Sequence, residues 1–147
     1  MDIREYTWEG IEIGVNSIAM QMFKDEWRPD YIVGITRGGL IPGVLLSHTT
    51  DIPMKTLCVQ LKSDGLEEVT EHNAQMARDA LKNNKKILII DDINRGGDAI
   101  SWIIDDWQDA IGMVGDYKSE SWHTNVRFAS LIDNPNSKVP MDYCNEE

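Results

Sequence analysis

Hydrophobic residues recur along the chain in two alternating patterns. The first is a spacing of three or four positions, which predicts one buried face of an α-helix. It is formed near the start of the chain by Trp8, Ile11, Val15, Ile18 and Met22. Thr7 is a candidate N-cap for this predicted helix, and Arg28-Pro29 indicates that the helix ends before these residues.

The second pattern is a short run of apolar and β-branched residues, which is typical of a strand buried on both faces of a parallel sheet. Strands are predicted at residues 31–35, 56–61, 87–90 and 126–132. Helices are predicted between them at residues 40–49, 73–84 and 100–107, and a loop at residues 62–72. The alternation predicts an α/β fold in a single domain, residues 1–147, with a mainly parallel, twisted sheet flanked by helices.

Charge and composition disfavour several classes of function. The chain has 14 Lys+Arg against 25 Asp+Glu, a formal net charge of -11 at pH 7, which argues against a general nucleic-acid surface. No apolar run approaches the ~20 residues that cross a bilayer, so we expect no membrane association. Two cysteines are too few for a disulfide scaffold, and the N-terminus lacks a signal-peptide pattern. We therefore expect a cytoplasmic protein.

The junction after the first predicted strand carries candidate chemistry. Here Arg37 and the pair Gly38-Gly39 lead directly into a predicted helix. Helix N-termini favour anions, glycines permit positive φ and close approach of a ligand, and a guanidinium matches phosphate oxygens. The alternative interpretation is a tight turn with a solvated arginine.

A second junction follows the strand at residues 87–90. Asp91 and Asp92 stand together at its carboxyl end, where open α/β sheets bind ligands. Adjacent carboxylates repel each other, so they require a hydroxyl, a metal ion or another donor. The pair therefore suits two vicinal hydroxyls and a divalent cation, and the glycine-bearing loop behind it suits a phosphate. The alternative is that Asp92 or Asn94 caps the next helix.

Together the two junctions resemble the type I phosphoribosyltransferases, especially the small bacterial and phage xanthine-guanine enzymes. Ile89-Ile90-Asp91-Asp92 matches the front half of the family signature. Residues 31–42 resemble the pyrophosphate loop of the family and the helix after it. The resemblance extends from about Trp8 to Tyr143.

The resemblance implies the type I phosphoribosyltransferase fold and a glycosyltransferase activity. The 5-phosphoribosyl group of phosphoribosyl pyrophosphate (PRPP) would pass to a 6-oxopurine base with release of pyrophosphate, a reaction of nucleotide salvage. Mg²⁺ is the implied cofactor, and PRPP and a purine base are the implied substrates. A homo-oligomer is implied as well, and either Trp8 or Trp122 is a candidate interface residue.

The resemblance also assigns roles to residues. The catalytic residues would be Asp91, Asp92 and Arg95, with Asp91 and Asp92 also holding the metal. The residues that bind PRPP or pyrophosphate would be Thr36, Arg37, Gly38, Gly39, Asn94, Gly96, Gly97, Asp98 and Ala99. Asn134 would contact the base, residues 62–72 would close over the site, and the Thr36-Arg37 peptide bond is expected to be cis.

The back half of the signature departs from the family, which has a third aspartate and two threonines there. In an alignment with no gap, Arg95 takes the place of the aspartate, and Gly96 and Ala99 take the places of the threonines. In an alignment with one residue deleted, Asn94 takes the place of the aspartate, and Arg95 and Asp98 take the places of the threonines. A carboxylate ~4 Å from a phosphate costs about 4 kcal/mol per unit charge at an effective dielectric near 20. Phosphate binding therefore requires Arg95 to point inward and Asp98 outward. The altered loop leaves a second hypothesis: an impaired relative that binds PRPP or a nucleotide in a regulatory role.

Overall fold

The computed structural model describes residues 7–59, 71–113 and 118–146, which form a parallel sheet with helices on both faces. The elements in chain order are α1 (Trp8–Lys24), β1 (Tyr31–Thr36), α2 (Leu40–Thr50), β2 (Met54–Cys58), α3 (Glu71–Leu81), β3 (Ile87–Asn94), α4 (Asp98–Ala110), β4 (Val126–Asp133) and β5 (Tyr143–Glu146). The five strands lie in the order β2-β1-β3-β4-β5, and every neighbouring pair is parallel. The predicted α/β class is confirmed.

The predicted patterns account for the central elements. The side chain of Thr7 accepts a hydrogen bond of 3.0 Å from the Gly10 N–H and so caps α1 as expected. The predicted apolar run of β3 is fully buried at the centre of the sheet. One face of the sheet packs on α3 and α4 around Trp107, and the other packs on α1 and α2 around Ile18 and Leu46.

Several element boundaries differ from the prediction. β3 continues to Asn94, four residues beyond its apolar run, because it remains paired with β4 as far as Asn94 and Asp133. β2 begins at Met54 and ends at Cys58. α3 begins at Glu71, so His72 belongs to a helix and not to the predicted loop. Residues 60–70, which include the rest of that loop, lie outside the described residues.

β5 was not predicted. Its short Tyr-Cys-Asn-Glu sequence has no apolar pattern of its own. The strand is held by pairing with β4 and by Tyr143, whose buried ring packs 6.1 Å from the ring of Trp27. Within the described residues, no helix is long and apolar enough to span a bilayer.

The register of the central strands positions the two candidate junctions. Gly34 of β1 is paired with Ile90 of β3 in parallel, so both strands end at the same edge of the sheet. α2 begins after β1, and α4 begins after β3, at that edge. Both glycine-bearing turns therefore lie at one edge of the sheet.

Candidate active site

The first turn connects β1 to α2 through residues 37–39. The Thr36-Arg37 peptide bond is cis, as expected. Arg37 is exposed, and among the described residues its guanidinium forms no ion pair. Gly39 is the N-cap of α2 and offers no side-chain acceptor to the first N–H groups of the helix. A free cation and an uncapped helix N-terminus together favour an anion at this turn.

Gly39 is required at this turn because a side chain would not fit there, and not because the backbone has a positive φ. Gly39 has a φ of -78°, so it does not use the positive φ that glycine permits. A Cβ atom on Gly39 would overlap the carbonyl oxygen of Ile90, and a Cβ atom on Gly38 would lie 2.5 Å from Oδ1 of Asp92. The turn after β1 therefore lies directly against the acidic pair in β3.

The two glycine N–H groups differ in availability. The Gly39 N–H donates to the carbonyl oxygen of Ile35 at 2.7 Å. The resemblance assigned Gly39 to pyrophosphate binding, but this N–H is already used within the turn. The Gly38 N–H has no acceptor within residues 7–59, 71–113 and 118–146. A ligand at this turn therefore meets the Gly38 N–H and the Arg37 guanidinium.

The acidic pair lies where the two junctions meet. Asp91 lines a cavity of about 240 Å³ next to the start of α4, whereas Asp92 lies against Gly38. Oδ1 of Asp91 accepts from the Asp92 N–H, and Oδ1 of Asp92 accepts from the Ile93 N–H, each at 2.8 Å. Burial, together with the neighbouring Asp92 carboxylate, raises the pKa of Asp91 to about 7. The site therefore holds closely spaced carboxylates, one of which titrates near neutral pH.

The second turn leads from β3 into α4. Gly97 is the N-cap of α4 with a φ of 84°, a conformation that favours glycine, and it offers no side-chain cap. The alternative in which Asp92 or Asn94 caps this helix is therefore excluded. The cavity beside the turn is lined by residues 93–100 together with Asp91 and Met141. Gly96, Asp98 and Ala99 are thus placed at an uncapped helix N-terminus, as a phosphate loop requires.

Asn94 is buried, and its amide group is used inside the fold. Its Nδ2 lies 2.8 Å from Oδ1 of Asp133, 2.9 Å from Oγ of Ser137 and 3.0 Å from the carbonyl oxygen of Val139. These contacts fix the end of β3 to the segment after β4. The structure therefore places this amide against the fold, and not at the phosphoribosyl group where the resemblance put it.

Arg95 and Asp98 are both exposed at the second turn. Nζ of Lys138 lies 2.6 Å from Oδ1 of Asp98, so the carboxylate that would repel a phosphate has a cationic partner. The guanidinium of Arg95 forms no ion pair with any described residue. Lys138 was not predicted, because the segment that carries it has no periodic pattern that would indicate its partner.

Asn134 follows β4 and supports the second turn. Its Nδ2 donates to the carbonyl oxygen of Arg95 at 2.7 Å, and its Oδ1 accepts from the Asn136 N–H at 3.0 Å. Its backbone N–H donates to the carbonyl oxygen of Asn94 at 2.9 Å. Asn134 therefore lies beside the site, and one of its two amide N–H groups donates to no residue in the described ranges.

The raised pKa of Asp91 predicts how stability depends on pH. The pKa rises from 3.8 to about 7 on folding, so the folded protein binds more protons between these values. Its free energy of unfolding should then decrease as the pH rises from about 4 to about 7. Asp91→Asn should abolish most of this decrease and stabilise the protein above neutral pH, by up to about 4 kcal/mol.

This prediction is checked by urea denaturation in metal-free buffer at pH values from about 5 to about 8. Asp109→Asn, which alters an exposed carboxylate on α4, is the matched control and should keep the wild-type pH profile. If Asp91→Asn and wild type lose stability equally over this range, the Asp91 assignment is contradicted.

Similar proteins are known for both the sequence and the fold of this chain. Residues 6–146 match the family described as the phosphoribosyl transferase domain. A purine phosphoribosyltransferase from Pyrococcus horikoshii is a structural neighbour with a TM-score of 0.68 and 24% identity, covering 99% of this chain and 87% of that one. A xanthine-guanine-hypoxanthine phosphoribosyltransferase from Helicobacter pylori has a TM-score of 0.66 and 18% identity, covering 97% and 84%.

A third neighbour is a hypothetical protein from Neisseria gonorrhoeae with bound ppGpp. It has a TM-score of 0.66 and 16% identity, covering 100% of this chain and 87% of that one. At these identities the solved structures show a common fold, and the family match extends over nearly the whole chain. The chain therefore belongs to the phosphoribosyl transferase domain family.

Proposed function

We propose that this protein transfers the 5-phosphoribosyl group of PRPP to a 6-oxopurine base. The bond from the anomeric carbon to pyrophosphate breaks, pyrophosphate leaves with the electron pair, and a base nitrogen bonds to the same carbon as its proton is lost. The observation that carries the proposal is the packing of the Gly38 turn against Asp92. This contact gives one site an anion-binding turn, a pair of carboxylates and a second helix N-terminus.

The first turn would hold the pyrophosphate. The free Arg37 guanidinium supplies a planar fork that matches phosphate oxygens, and the Gly38 N–H supplies a donor from the backbone. Thr36, at the end of β1, and Gly39, packed on the Ile90 carbonyl, set the position of both donors. These groups favour departure of pyrophosphate, because they are aligned before charge develops on it.

The acidic pair would bind the ribose. Asp91 and Asp92 present several oxygen acceptors where the two turns meet, and vicinal hydroxyls can donate to both carboxylates. Such donors would compensate for the burial and the neighbouring Asp92 carboxylate that raise the pKa of Asp91. Fixing the sugar between the two turns supplies orientation, which accounts for much of the barrier reduction in reactions of this type.

The donor set also fits Mg²⁺. Asp91 and Asp92 supply hard oxygen ligands, and among the described residues there is no cluster of three or more metal-ligating side chains. Mg²⁺ is commonly bound by one or two carboxylates together with substrate phosphates, so two acids beside a pyrophosphate turn are sufficient. When bound, Mg²⁺ would neutralise negative charge on the leaving group.

The second turn would hold the 5′-phosphate. The first N–H groups of α4, at Asp98 and Ala99, lack a side-chain cap, and the loop at Gly96 and Gly97 gives them access to the cavity. Arg95 adds a free cation, while Lys138 neutralises Asp98. Local donors outweigh the net charge of -11, because exposed charges more than ~10 Å away are largely screened at 0.1 M salt.

A purine acceptor is supported by structural neighbours that are described as purine phosphoribosyltransferases. The role proposed for Asn134 is donation to the exocyclic oxygen of the base, through the amide N–H that the Arg95 carbonyl does not use. We place the reaction in cytoplasmic nucleotide salvage. The second candidate is a regulatory protein that binds PRPP or a nucleotide without efficient turnover. Two features of the second turn favour this candidate, namely the loss of both threonine hydroxyls and the presence of Asp98.

The decisive assay follows pyrophosphate release from PRPP and Mg²⁺ with hypoxanthine, guanine or xanthine added in turn. We expect release that depends on the base. Arg37→Ala should raise the KM for PRPP by roughly 10- to 150-fold, because charged hydrogen bonds contribute about 1.5–3 kcal/mol. Arg78→Ala, on α3 away from this edge, should leave the KM unchanged.

A direct measurement of PRPP binding, made beside this assay, separates the two candidates. PRPP binding that depends on Arg37 but gives no base-dependent release supports the regulatory protein. If PRPP does not bind, or if Arg37→Ala leaves binding unaltered, the first turn is not a pyrophosphate site.

The pair of Lys138 and Asp98 yields a further prediction. Lys138→Ala should leave the Asp98 carboxylate uncompensated beside the 5′-phosphate and raise the KM for PRPP by roughly 2- to 10-fold, with a smaller effect at high salt. Adding Asp98→Asn to this variant should restore the KM, because the repulsive charge is then removed. An equal KM in the single and double variants would show that the pair does not act on the phosphate.

A further inference from the structure

A serine in β4 is buried without a hydrogen-bond partner. Ser130 is 0% exposed, and its Oγ is one of two buried side-chain N or O atoms that make no hydrogen bond among the described residues. The other atom is Nε1 of Trp107, whose large apolar ring is itself a reason for burial. A serine has a single methylene group to bury, and a buried hydroxyl without a partner destabilises a fold. Ser130 therefore stabilises the fold less than an apolar residue of similar size would.

The register of the sheet places Ser130 next to Asp91. The two residues are paired in the parallel ladder of β3 and β4. Ile89 of β3 and Phe128 of β4, each two positions earlier, are also paired, and both pack in the core formed with α3 and α4. Side chains alternate between the two faces of a strand, so Asp91 and Ser130 lie on that same face. Neighbouring strands are about 4.8 Å apart, so the two side chains are adjacent.

The Asp91 carboxylate has acceptor capacity for this hydroxyl. Its Oδ1 accepts from the Asp92 N–H at 2.8 Å, and an ionised carboxylate offers about four lone-pair sites on its two oxygens. The Ser130 hydroxyl can point in three directions, one for each staggered rotamer of its χ1 angle. The two side chains are not hydrogen-bonded in the structure, so a rotation of one of them is needed to join them.

We propose that Ser130 is a positioning residue, whose hydroxyl donates to the Asp91 carboxylate and holds it towards ribose hydroxyls or a divalent cation. The proposal rests on the function proposed above, in which Asp91 binds these groups. Ser130 acts through Asp91, because Asp91 lines the cavity of about 240 Å³ and Ser130 is not one of its lining residues. A donor behind a ligating carboxylate fixes its orientation and stabilises its charged form.

This role gives Ser130 opposite effects on folding and on binding. In the fold as described, its hydroxyl makes no hydrogen bond, so loss of the hydroxyl should not lower stability. When Asp91 binds a ligand, the hydroxyl has an acceptor, so loss of the hydroxyl should weaken binding. A serine with a purely structural role shows the reverse pattern, because its hydrogen bond is made inside the fold.

The first test is titration of the full chain with Mn²⁺, followed by electron paramagnetic resonance. Mn²⁺ is the probe because it takes the same carboxylate and water ligands as Mg²⁺. Ser130→Ala should weaken Mn²⁺ binding by about 10-fold or more, the usual effect of removing a donor that supports a ligating group. Ser130→Thr keeps the hydroxyl and should bind Mn²⁺ as tightly as wild type. Asp91→Asn should abolish the binding.

The second test is urea denaturation of the same variants without added metal. Ser130→Ala should keep or raise the urea midpoint, because it removes a buried hydroxyl that has no partner. Ser47→Ala is the matched control, since the Ser47 hydroxyl donates to the carbonyl oxygen of Ile52 at the C-terminal end of α2. This control should lower the midpoint and leave the Mn²⁺ affinity unchanged.

PRPP binding to the same variants, measured by calorimetry with Mg²⁺ present, separates this proposal from the function on which it rests. Equal Mn²⁺ affinity in wild type and Ser130→Ala overturns the role of Ser130, whether or not PRPP binds. Weaker Mn²⁺ binding by Ser130→Ala at an unchanged or higher urea midpoint supports that role. If wild type then fails to bind PRPP, only the proposed phosphoribosyl transfer is contradicted. A wild type that binds no Mn²⁺, or Mn²⁺ binding that survives Asp91→Asn, also overturns the proposal.

Discussion

The packing of the β1–α2 turn against β3 is the constraint on which the rest of the site depends. Gly39 lies against the Ile90 carbonyl and leaves no room for a Cβ atom, and Gly38 lies against the Asp92 carboxylate, which a Cβ atom would displace. Because β1 and β3 are parallel neighbours, this contact brings two uncapped helix N-termini to one edge with the acids between them. This arrangement is the basis of the proposed site for a sugar carrying phosphates at both ends.

The electrostatic potential at this edge of the sheet depends on nearby charged groups more than on the net charge of the chain. The chain as a whole repels anions, since its net charge is -11. Arg37 and Arg95 nevertheless lie at the two turns without an ion pair to any described residue, and Lys138 pairs with Asp98. Burial and the neighbouring Asp92 carboxylate raise the pKa of Asp91, and ligand hydroxyls or a divalent cation would favour its charged form. The same residues that destabilise the free protein are therefore the ones suited to binding.

Local sequence patterns predicted much of the fold and both junctions, because helical spacing, apolar runs and glycine-bearing turns are properties of adjacent residues. What they missed depends on distant contacts. The extension of β3 and the existence of β5 arise from pairing with β4. The buried amide of Asn94 and the partnership of Lys138 with Asp98 arise where the segment after β4 folds back on the second turn. A linear pattern also could not show that Gly39 is needed for space rather than for a positive φ.

A crystal structure of the protein grown with PRPP and Mg²⁺ would test most directly whether the two turns form one binding site. The account predicts a single PRPP molecule that spans the edge of the sheet, with its pyrophosphate at Arg37 and Gly38 and its ribose hydroxyls at Asp91 and Asp92. PRPP bound elsewhere, or an acidic pair that keeps only its internal hydrogen bonds while PRPP occupies a single turn, would contradict the account.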